Sequence, residues 1–254
     1  MRKTNNRFPL LHMQQYFCNA PIEVGKDYEM TKEQAHHAVN VLHLNNETVR
    51  LVYNGIGYFG TLVASGKKAF VHVEKQDERI NEPAMEIILA IALIRREKFE
   101  WILQKATELG VSRIIPFESS RCVVHAKKEK ADRQKERWNA IAQSAAEQCK
   151  RNRIPKVDDI MSFSDLMKVE SQLKVCAYEK ADIQSAYLSD LCHEQSSVLV
   201  LIGPEGGFSE GEIEMVKDHD FAPCTLGSRI LRAETAALYS LSVLSELNEK
   251  RRNT

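Results

Sequence analysis

Residues 199–214 read LVLIGPEGGFSEGEIE, an apolar run that ends in a glycine-rich turn and then continues as a helix. The run LVLI is typical of a strand that is buried on both faces of a parallel sheet. Ser209 and Glu212 have the S-x-x-E spacing of a capping box, which places a helix start directly after the glycines. Glycines allow positive φ and let a ligand approach the main chain closely. Because ligands of open α/β sheets bind at the carboxyl ends of strands, this turn is a candidate binding loop.

From residue 84 onward, strand patterns alternate with amphipathic helical patterns. Strands are predicted at 86–94, 113–117, 174–179, 197–203 and 221–227, and helices at 97–111, 130–151 and 233–251. We expect Gly110 to end the first of these helices, because glycine favours the conformation of a helix C-terminus. The alternation predicts an α/β domain over 84–254 that is built on a parallel sheet.

Residues 13–80 have a different pattern. TVRLVYNGIGYFGTLVASGKKAFVHVEKQ at 48–76 alternates in hydrophobicity and is broken by NG and SGKK turn signals, which indicates short strands. A helix is expected over 32–42 after Thr31, which can act as its N-cap. The sequence therefore predicts a small β-barrel, joined to the α/β domain by the polar stretch DERINEP at 77–83.

Composition narrows the class of protein. Among 254 residues, 43% are hydrophobic and 28% are charged, which is ordinary for a globular chain. The 35 basic and 35 acidic side chains balance, whereas a nonspecific nucleic-acid coat protein is strongly basic. Binding to a nucleic acid would therefore need a local basic face.

The same sequence gives no sign of export, membrane insertion or a metal. The start MRKTNNRFPLLH lacks an apolar signal-peptide core, and the apolar run at 87–94 is too short to span a bilayer. We expect a cytoplasmic protein whose six cysteines are reduced thiols. His36, His37 and His43 lie close together, but nothing completes a zinc ligand set, so no metal is predicted.

The glycine-rich turn does not match common nucleotide-binding or hydrolase motifs. It lacks the lysine of a P-loop, the GxGxxG spacing of a dinucleotide fingerprint and the GxSxG of a nucleophile elbow. A second turn, TLGSRILRAETAA at 225–237, again places a glycine, Gly227, at a strand end before a helix. Two such loops at neighbouring strand ends would form one cleft, whose apolar, backbone-lined walls suit a flat purine.

Together these two stretches resemble a known family. GPEGGFSEGEIE at 203–214 and LGSRILRAETAA at 226–237 are similar to signatures of the SPOUT methyltransferases, and more narrowly of the bacterial RsmE-type 16S rRNA uridine-N3 methyltransferases. KATELGVSRIIPF at 105–117 and RWNAIAQSAAEQCKRNRIP at 137–155 resemble that family's middle motifs. VLHLNNETVRLVYNGIGY resembles its N-terminal PUA-like barrel. The resemblance covers about residues 13–250.

The resemblance implies a fold, a cofactor and an assembly. It implies a C-terminal SPOUT α/β domain with a deep trefoil knot, whose loops at about 199–207 and 225–235 hold S-adenosylmethionine, and an N-terminal PUA-like RNA-binding β-barrel over 13–80. It also implies a homodimer that acts on 16S rRNA in the small ribosomal subunit. The cofactor-binding residues expected on this basis are Leu201, Ile202, Gly203, Pro204, Gly207, Leu226, Gly227, Ile230, Leu231 and Thr235.

The chemistry that the family carries out suggests two catalytic candidates. Uridine N3 carries a proton at neutral pH, so methylation requires a base, or a cation that stabilises the uridine anion. Arg232 is the candidate cation, and a structural salt bridge to Glu234 or Glu205 is its alternative role. Glu205 is a candidate base, or else it organises the loop.

Basic residues in or near the matched motifs are candidates for RNA contact. Lys105 is one of these, although Glu108 lies three residues away on the same helix and can pair with it. Two positions depart from the family, since Gln15 and His43 stand where arginine is usual. The remaining candidates are Arg121, Lys127, Lys128, Lys150, Arg151 and Arg153.

Three other functions remain as alternatives. A SPOUT ribose 2′-O-methyltransferase would have an asparagine and arginine motif where this chain reads RREKFEWILQKATELGV. A noncatalytic RNA-binding assembly protein could retain the fold without binding S-adenosylmethionine. A nucleotide-dependent oxidoreductase would need the absent GxGxxG spacing.

Overall fold

A computed structural model of the protein describes residues 13–125, 131–178 and 186–252. The chain divides into two compact units. The described residues up to Glu82 form the first unit together with residues 146–153, and the remaining described residues form the second. Residues 146–153, which lie inside the predicted C-terminal domain, therefore group with the N-terminal unit.

The first unit is built on a five-stranded sheet in the order β1-β3-β4-β5-β2. Only the β1–β3 pair is parallel, and the other neighbours are antiparallel. Its strands are β1 (Gln15–Phe17), β2 (Asp27–Glu29), β3 (Glu47–Tyr53), β4 (Ile56–Ser65) and β5 (Lys68–Asp77). The strands predicted over 48–76 are thus confirmed. Asn54 and Gly55 join β3 to β4 with φ of 46° and 80°, the conformation of a two-residue hairpin turn.

The predicted helix after Thr31 is present but changes character along its length. Thr31 and Gln34 form a reciprocal capping box at the start of α1 (Lys32–Ala35). From His36 to Val41 the chain continues as a π-helix, which is rare and is not indicated by hydrophobic periodicity.

A buried arginine lies in the interior of the first unit. Arg50 has no exposed surface, and its guanidinium donates to Asp77 at 2.9 Å, to Gln15 at 2.6 Å and to Asn152 at 2.6 Å. A buried charge requires such partners, because unpaired burial is very costly. Asp77 is therefore the end of a strand and a buried ion-pair partner, not part of a simple linker as predicted. Gln15 is an interior residue as well.

The second unit is an α/β structure around a parallel sheet, as predicted. Its strand order is β12-β10-β11-β6-β7-β8, and β9 also pairs with β7. Every neighbouring pair is parallel. The strands are β6 (Glu86–Ala92), β7 (Arg113–Glu118), β8 (Lys156–Val157), β9 (Met161–Ser162), β10 (Leu173–Ala177), β11 (Ser197–Ile202) and β12 (Ala222–Cys224).

Helices cover this sheet and form the core with it. They are α2 (Arg96–Glu108), α3 (Ala131–Gln148), α4 (Phe163–Leu166), α5 (Leu188–Leu191), α6 (Glu210–Asp218) and α7 (Ala233–Arg252). Phe99 of α2 and Trp138 of α3 pack with their ring centroids 4.5 Å apart. Gly110 follows the C-cap of α2 with φ of 91°, in agreement with its predicted role.

Within these described ranges, no helix combines the length and apolarity needed to cross a bilayer. The same residues contain no group of three or more potential metal-ligating side chains. The six cysteines, all of which lie in the described ranges, are free thiols.

Candidate active site

The loop after β11, residues 203–208, is fixed at both of its ends. We call it the glycine loop. The Ser209 hydroxyl caps α6, and the Ser209 N–H donates to the Glu212 carboxylate at 2.8 Å, so the predicted capping box is confirmed. Burial opposes the charge of Glu212, but donors that include the backbone N–H groups of Ser209 and Ser120 hold its pKa below the usual range. The carboxylate therefore stays ionised and anchors the loop exit.

Close packing accounts for two of the loop's glycines. A Cβ added to Gly203 would lie 2.8 Å from the ring of Phe208. A Cβ on Gly206 would lie 3.3 Å from the Arg121 side chain and backbone. The guanidinium of Arg121 donates to the carbonyls of Gly206 and Phe208 at 3.3 and 3.2 Å. The loop backbone is thus held from one side by an arginine and from within by an aromatic ring.

A second loop, residues 225–232, follows β12, and we call it the arginine loop. Strand β10 lies between β11 and β12, so the carboxyl ends of all three strands lie at the same edge of the sheet. Gly227 has φ of 104°, a conformation that side chains rarely adopt, and its N–H donates to the Thr225 hydroxyl at 3.2 Å. The sheet order therefore brings the two glycine-containing turns together, as predicted from the sequence.

The two loops line one cleft with a volume of about 280 Å³. It is lined by ten of the twelve residues predicted for catalysis or cofactor binding: Ile202, Gly203, Pro204, Glu205, Gly207, Leu226, Gly227, Ile230, Leu231 and Arg232. The other two lie elsewhere, because Leu201 is fully buried within β11 and Thr235 is exposed in the first turn of α7. The binding roles of all twelve stay predictions.

Several cleft residues were missed by sequence reasoning. Ala177 is the last residue of β10 and Tyr178 follows it, and the position of β10 between the two loops depends on strand order and not on local pattern. Cys224 also lines the cleft, and burial raises the pKa of its thiol to about 12. Because a nucleophilic cysteine must be a thiolate, Cys224 is an apolar wall and not a reactive group. Phe208 and Ala236 were also missed, whereas Thr225, Ser228, Arg229 and Ala233 lie within the loop predicted at 225–235 but were not named individually.

An ion-pair network that the sequence did not predict lies beside the cleft. Lys98 of α2 pairs with Glu205 of the glycine loop and lies 3.2 Å from Glu234 of α7. The hydrogen bond from Lys98 holds the pKa of Glu205 below its usual range, which makes this carboxylate a poor base. Its position supports the alternative in which Glu205 organises the loop.

Arg232 lines the cleft with an exposed side chain. In the described part of the chain, its guanidinium has neither a hydrogen bond nor a salt bridge. The alternative salt bridge to Glu205 or Glu234 is not formed, because Lys98 occupies both carboxylates. This cation is thus available to a ligand in the cleft.

The candidates for RNA contact differ in their exposure and in their ion-pair partners. Arg121 and Arg153 are exposed. Arg151 is 4% exposed and its guanidinium lies 2.7 Å from Glu82, so it is an interior ion-pair partner and not a surface contact as predicted. Lys105 pairs with Glu108 at 2.8 Å, as the sequence suggested. Lys127 and Lys128 lie outside the described residues.

Comparison with known proteins assigns the class. The family model of the RNA methyltransferase domain matches residues 81–245, which include both loops of the cleft. The fold and the cleft thus define a protein of the RNA methyltransferase class.

Closer relatives identify the family more narrowly. The chain is 37% identical over 252 residues to ribosomal RNA small subunit methyltransferase E of Bacillus subtilis (strain 168), covering 93% of this chain and 98% of the relative. It is 34% identical to the protein of the same name in Mesomycoplasma hyopneumoniae (strain 232), covering 80% and 88%. The chain therefore belongs to the ribosomal RNA small subunit methyltransferase E family.

Two solved structures that contain the cofactor are also similar. The ribosomal RNA small subunit methyltransferase E of Neisseria gonorrhoeae, bound to S-adenosylmethionine, matches with a TM-score of 0.84 and 30% identity. The match covers 93% of this chain and 98% of the other. A Legionella pneumophila protein in complex with the same cofactor matches with a TM-score of 0.84 and 31% identity, covering 92% and 98%.

The cleft of this chain fits S-adenosylmethionine chemically. Ile202, Leu226, Leu231 and Ala236 form apolar surface of the kind that suits a purine ring. Gly203, Gly207 and Gly227 leave main-chain groups uncovered by side chains, which suits recognition of ring edges and hydroxyl groups. The side chain that Gly203 lacks would collide with Phe208, so the shape of this wall depends on that glycine.

Proposed function

We propose that this protein transfers a methyl group from S-adenosylmethionine to N3 of a specific uridine in 16S rRNA of the small ribosomal subunit. The observation that carries the proposal is the shared cleft, which the glycine loop and the arginine loop line together and which includes the unpaired Arg232. The family membership of the chain supports the cofactor and the substrate class.

The reaction mainly requires positioning. The bound cofactor supplies a methyl group that is already activated by its sulfonium. The N3 proton would pass to solvent water, and the cleft residues would hold the resulting uridine anion in line with this methyl group, whose transfer would leave the cofactor as a neutral thioether. Holding the reacting atoms in line can contribute roughly 7–11 kcal/mol to lowering the barrier. The close packing of Gly203 against the Phe208 ring supports a cleft wall of defined shape for this task.

In this proposal Arg232 stabilises the negative charge that develops on the uridine when the N3 proton is lost. Its exposed, unpaired guanidinium supports the assignment. Glu205 organises the glycine loop through its ion pair with Lys98. Ile202, Gly203, Pro204, Gly207, Leu226, Gly227, Ile230 and Leu231 contact the cofactor.

RNA docking is proposed to involve both parts of the chain. Arg121 lies next to the glycine loop and is exposed, which places a cation beside the cleft. Arg153 is an exposed cation of the first unit. We leave Lys105 out of this surface because Glu108 compensates its charge. We further propose that residues 13–80 form a PUA-like RNA-binding barrel and that residues 84–254, apart from 146–153, which group with the first unit, form a SPOUT domain whose two cleft loops belong to a trefoil knot.

We also propose that the protein is a cytoplasmic homodimer. Exposed apolar side chains of the second unit support an assembly: Ile230 of the arginine loop is 84% exposed, and Trp101 of α2 and Tyr239 of α7 are 45% and 42% exposed. Large apolar groups at a surface are typical of protein interfaces. Light scattering of the purified protein would test the dimer.

Transfer of a radiolabelled methyl group would test the proposed activity. The protein is incubated with labelled S-adenosylmethionine and unmodified small or large ribosomal subunits. We expect label in the 16S rRNA of the small subunit only. Label in the RNA of the large subunit would contradict the proposed 16S rRNA substrate. Cofactor binding without transfer to either subunit would favour a noncatalytic assembly role.

A further inference from the structure

Three segments of the second unit meet at Lys98. Its ammonium, which belongs to α2, pairs with Glu205 of the glycine loop and also lies 3.2 Å from Glu234 in the first turn of α7. The glycine loop is one wall of the cleft, and α7 directly follows the other. The Lys98 side chain is 30% exposed and is not among the residues that line the cleft. Any effect of Lys98 on a ligand in the cleft is therefore exerted through the residues that it contacts.

The charges around this lysine are nearly balanced. Two carboxylates, Glu205 and Glu234, face Lys98, and Arg95 and Arg232 also lie near enough to favour the charged form of Glu205. In the described ranges, Lys98 is the only cation within ion-pair distance of either carboxylate. One oxygen of Glu234 is buried without a hydrogen-bond partner, so this carboxylate depends on Lys98 for compensation.

We propose that Lys98 is a positioning residue for methyl transfer. It ties the glycine loop to the start of α7, and it keeps the guanidinium of Arg232 available by occupying the two carboxylates that would otherwise bind it. The inference rests on the proposed function in one respect, because it assumes that Arg232 acts on the substrate.

Removal of the lysine should redirect Arg232. Without Lys98, two carboxylates lose their counter-charge, and Arg232 is a neighbouring cation with no partner of its own among the described residues. Arginine binds carboxylates well because its planar fork matches their geometry. We expect the guanidinium to move onto Glu205 or Glu234 and to leave its position in the cleft.

The test uses Lys98→Met, Lys98→Arg and the double variant Lys98→Met/Glu205→Gln in the full chain. Displacement of a catalytic group by about 1 Å can cost a hundredfold in rate, so we expect Lys98→Met to lower kcat by about that factor. The KM for the ribosomal subunit should change much less. Lys98→Arg should keep most of the activity. The double variant should have a higher kcat than Lys98→Met, because it lacks the Glu205 carboxylate that would attract Arg232.

A crystal structure of Lys98→Met without RNA provides a readout that does not depend on activity. We expect the Arg232 guanidinium within 4 Å of Glu205 or Glu234. Lys250→Met is the matched control, because Lys250 pairs with Glu246 at the far end of α7, away from the cleft. It should behave like the unmodified protein.

The outcomes separate this inference from the proposed function. An unmodified protein that transfers no methyl group refutes the proposed function, and the position of Arg232 in the variant crystal still decides the inference. Arg232 in its original place in that crystal would overturn the inference. Unchanged kcat in Lys98→Met, or equal losses in the single and double variants, would also overturn it.

Discussion

At the scale of single residues, two neighbouring cations at the cleft differ in whether they have carboxylate partners. Lys98 has two carboxylate partners, whereas the exposed guanidinium of Arg232 has none among the described residues. An exposed, unpaired arginine that lines a cleft is well placed to bind a developing anion. The two residues therefore have different expected phenotypes when they are substituted.

Substitution of Arg232 should reduce turnover and leave cofactor binding intact. Loss of one group that stabilises developing charge typically costs about 10²- to 10³-fold in kcat, and we expect Arg232→Ala to fall in this range. Calorimetry should give nearly the same Kd for S-adenosylmethionine. Arg232→Lys retains the positive charge but not the planar guanidinium, so its kcat should fall less than that of Arg232→Ala. A parallel collapse of cofactor affinity would instead make Arg232 a cofactor-binding residue.

Gly227 and Gly211 allow a test of backbone conformation alone. A Cβ would meet no atom within 4 Å at either position, but only Gly227 has positive φ, at 104°. Strain of roughly 1–3 kcal/mol is expected for a side chain in such a conformation. We therefore expect Gly227→Ala to weaken S-adenosylmethionine binding by about tenfold, since 1.4 kcal/mol corresponds to that factor.

Gly211→Ala is the matched control, because Gly211 lies inside α6 in open space. Alanine favours a helix by about 1 kcal/mol over glycine, so this variant should be as stable as the parent or more so. Equal cofactor affinities in the two alanine variants would show that the arginine loop does not need its glycine conformation.

The sequence predicted which residues belong to the cleft better than it predicted which side chains pair with one another. The two glycine-containing turns, Arg232 and the capping residue Ser209 all stand in local patterns. Lys98 does not, because its carboxylates are 107 and 136 positions away along the chain. The burial of Arg151 was also not predictable, since its partner Glu82 belongs to a stretch that resembled a linker.

At the scale of elements, α2 and α3 are joined by a carboxylate between two arginines. Glu100 of α2 accepts from Arg137 of α3 at 2.5 and 2.8 Å, and Arg96 donates to it at 2.8 Å. The hydrogen bonds from Arg137 lower the pKa of Glu100 to about 2. Bidentate arginine–carboxylate pairs of this kind orient elements as well as stabilise them.

This pair should contribute to stability in a pH-dependent way. An unfolded glutamate titrates near pH 4.3, so the contribution is fully present above that value and is lost as the pH falls toward 2. Because Arg137 is about half exposed, we expect only about 0.5–1 kcal/mol at pH 7. Urea unfolding of the parent and Glu100→Gln should differ by this amount at pH 7 and converge at low pH.

Glu214→Gln serves as the control for this measurement. Glu214 is exposed on α6 and has no ion pair with any described residue. Its substitution should change the free energy of unfolding little at either pH. A Glu100→Gln difference that grows as the pH falls would contradict the assigned ion pair.

The elements themselves follow mostly from local pattern. Buried runs predicted β6 and β11, and the S-x-x-E box predicted the start of α6. The π-helix at 36–41 did not follow, because its hydrophobic spacing is not distinct from that of an α-helix over so few residues.

At the scale of the whole molecule, strand order is what creates the cleft. The loops after β11 and β12 begin at residues 203 and 225, 22 positions apart in sequence, and they share one cleft because only β10 lies between their strands. Periodicity predicts a parallel sheet but not the order of its strands. The same limit applies to residues 146–153, whose grouping with the N-terminal unit has no local signal.

The most direct test of the proposed function is the chemical identity of the methylated nucleoside. The protein is incubated with S-adenosylmethionine and unmodified small ribosomal subunits, and the 16S rRNA is then digested and analysed by mass spectrometry. We predict a 3-methyluridine peak that is absent without the protein and strongly reduced with Arg232→Ala. A ribose-methylated nucleoside in its place would contradict the proposed base methylation and assign the protein to 2′-O chemistry.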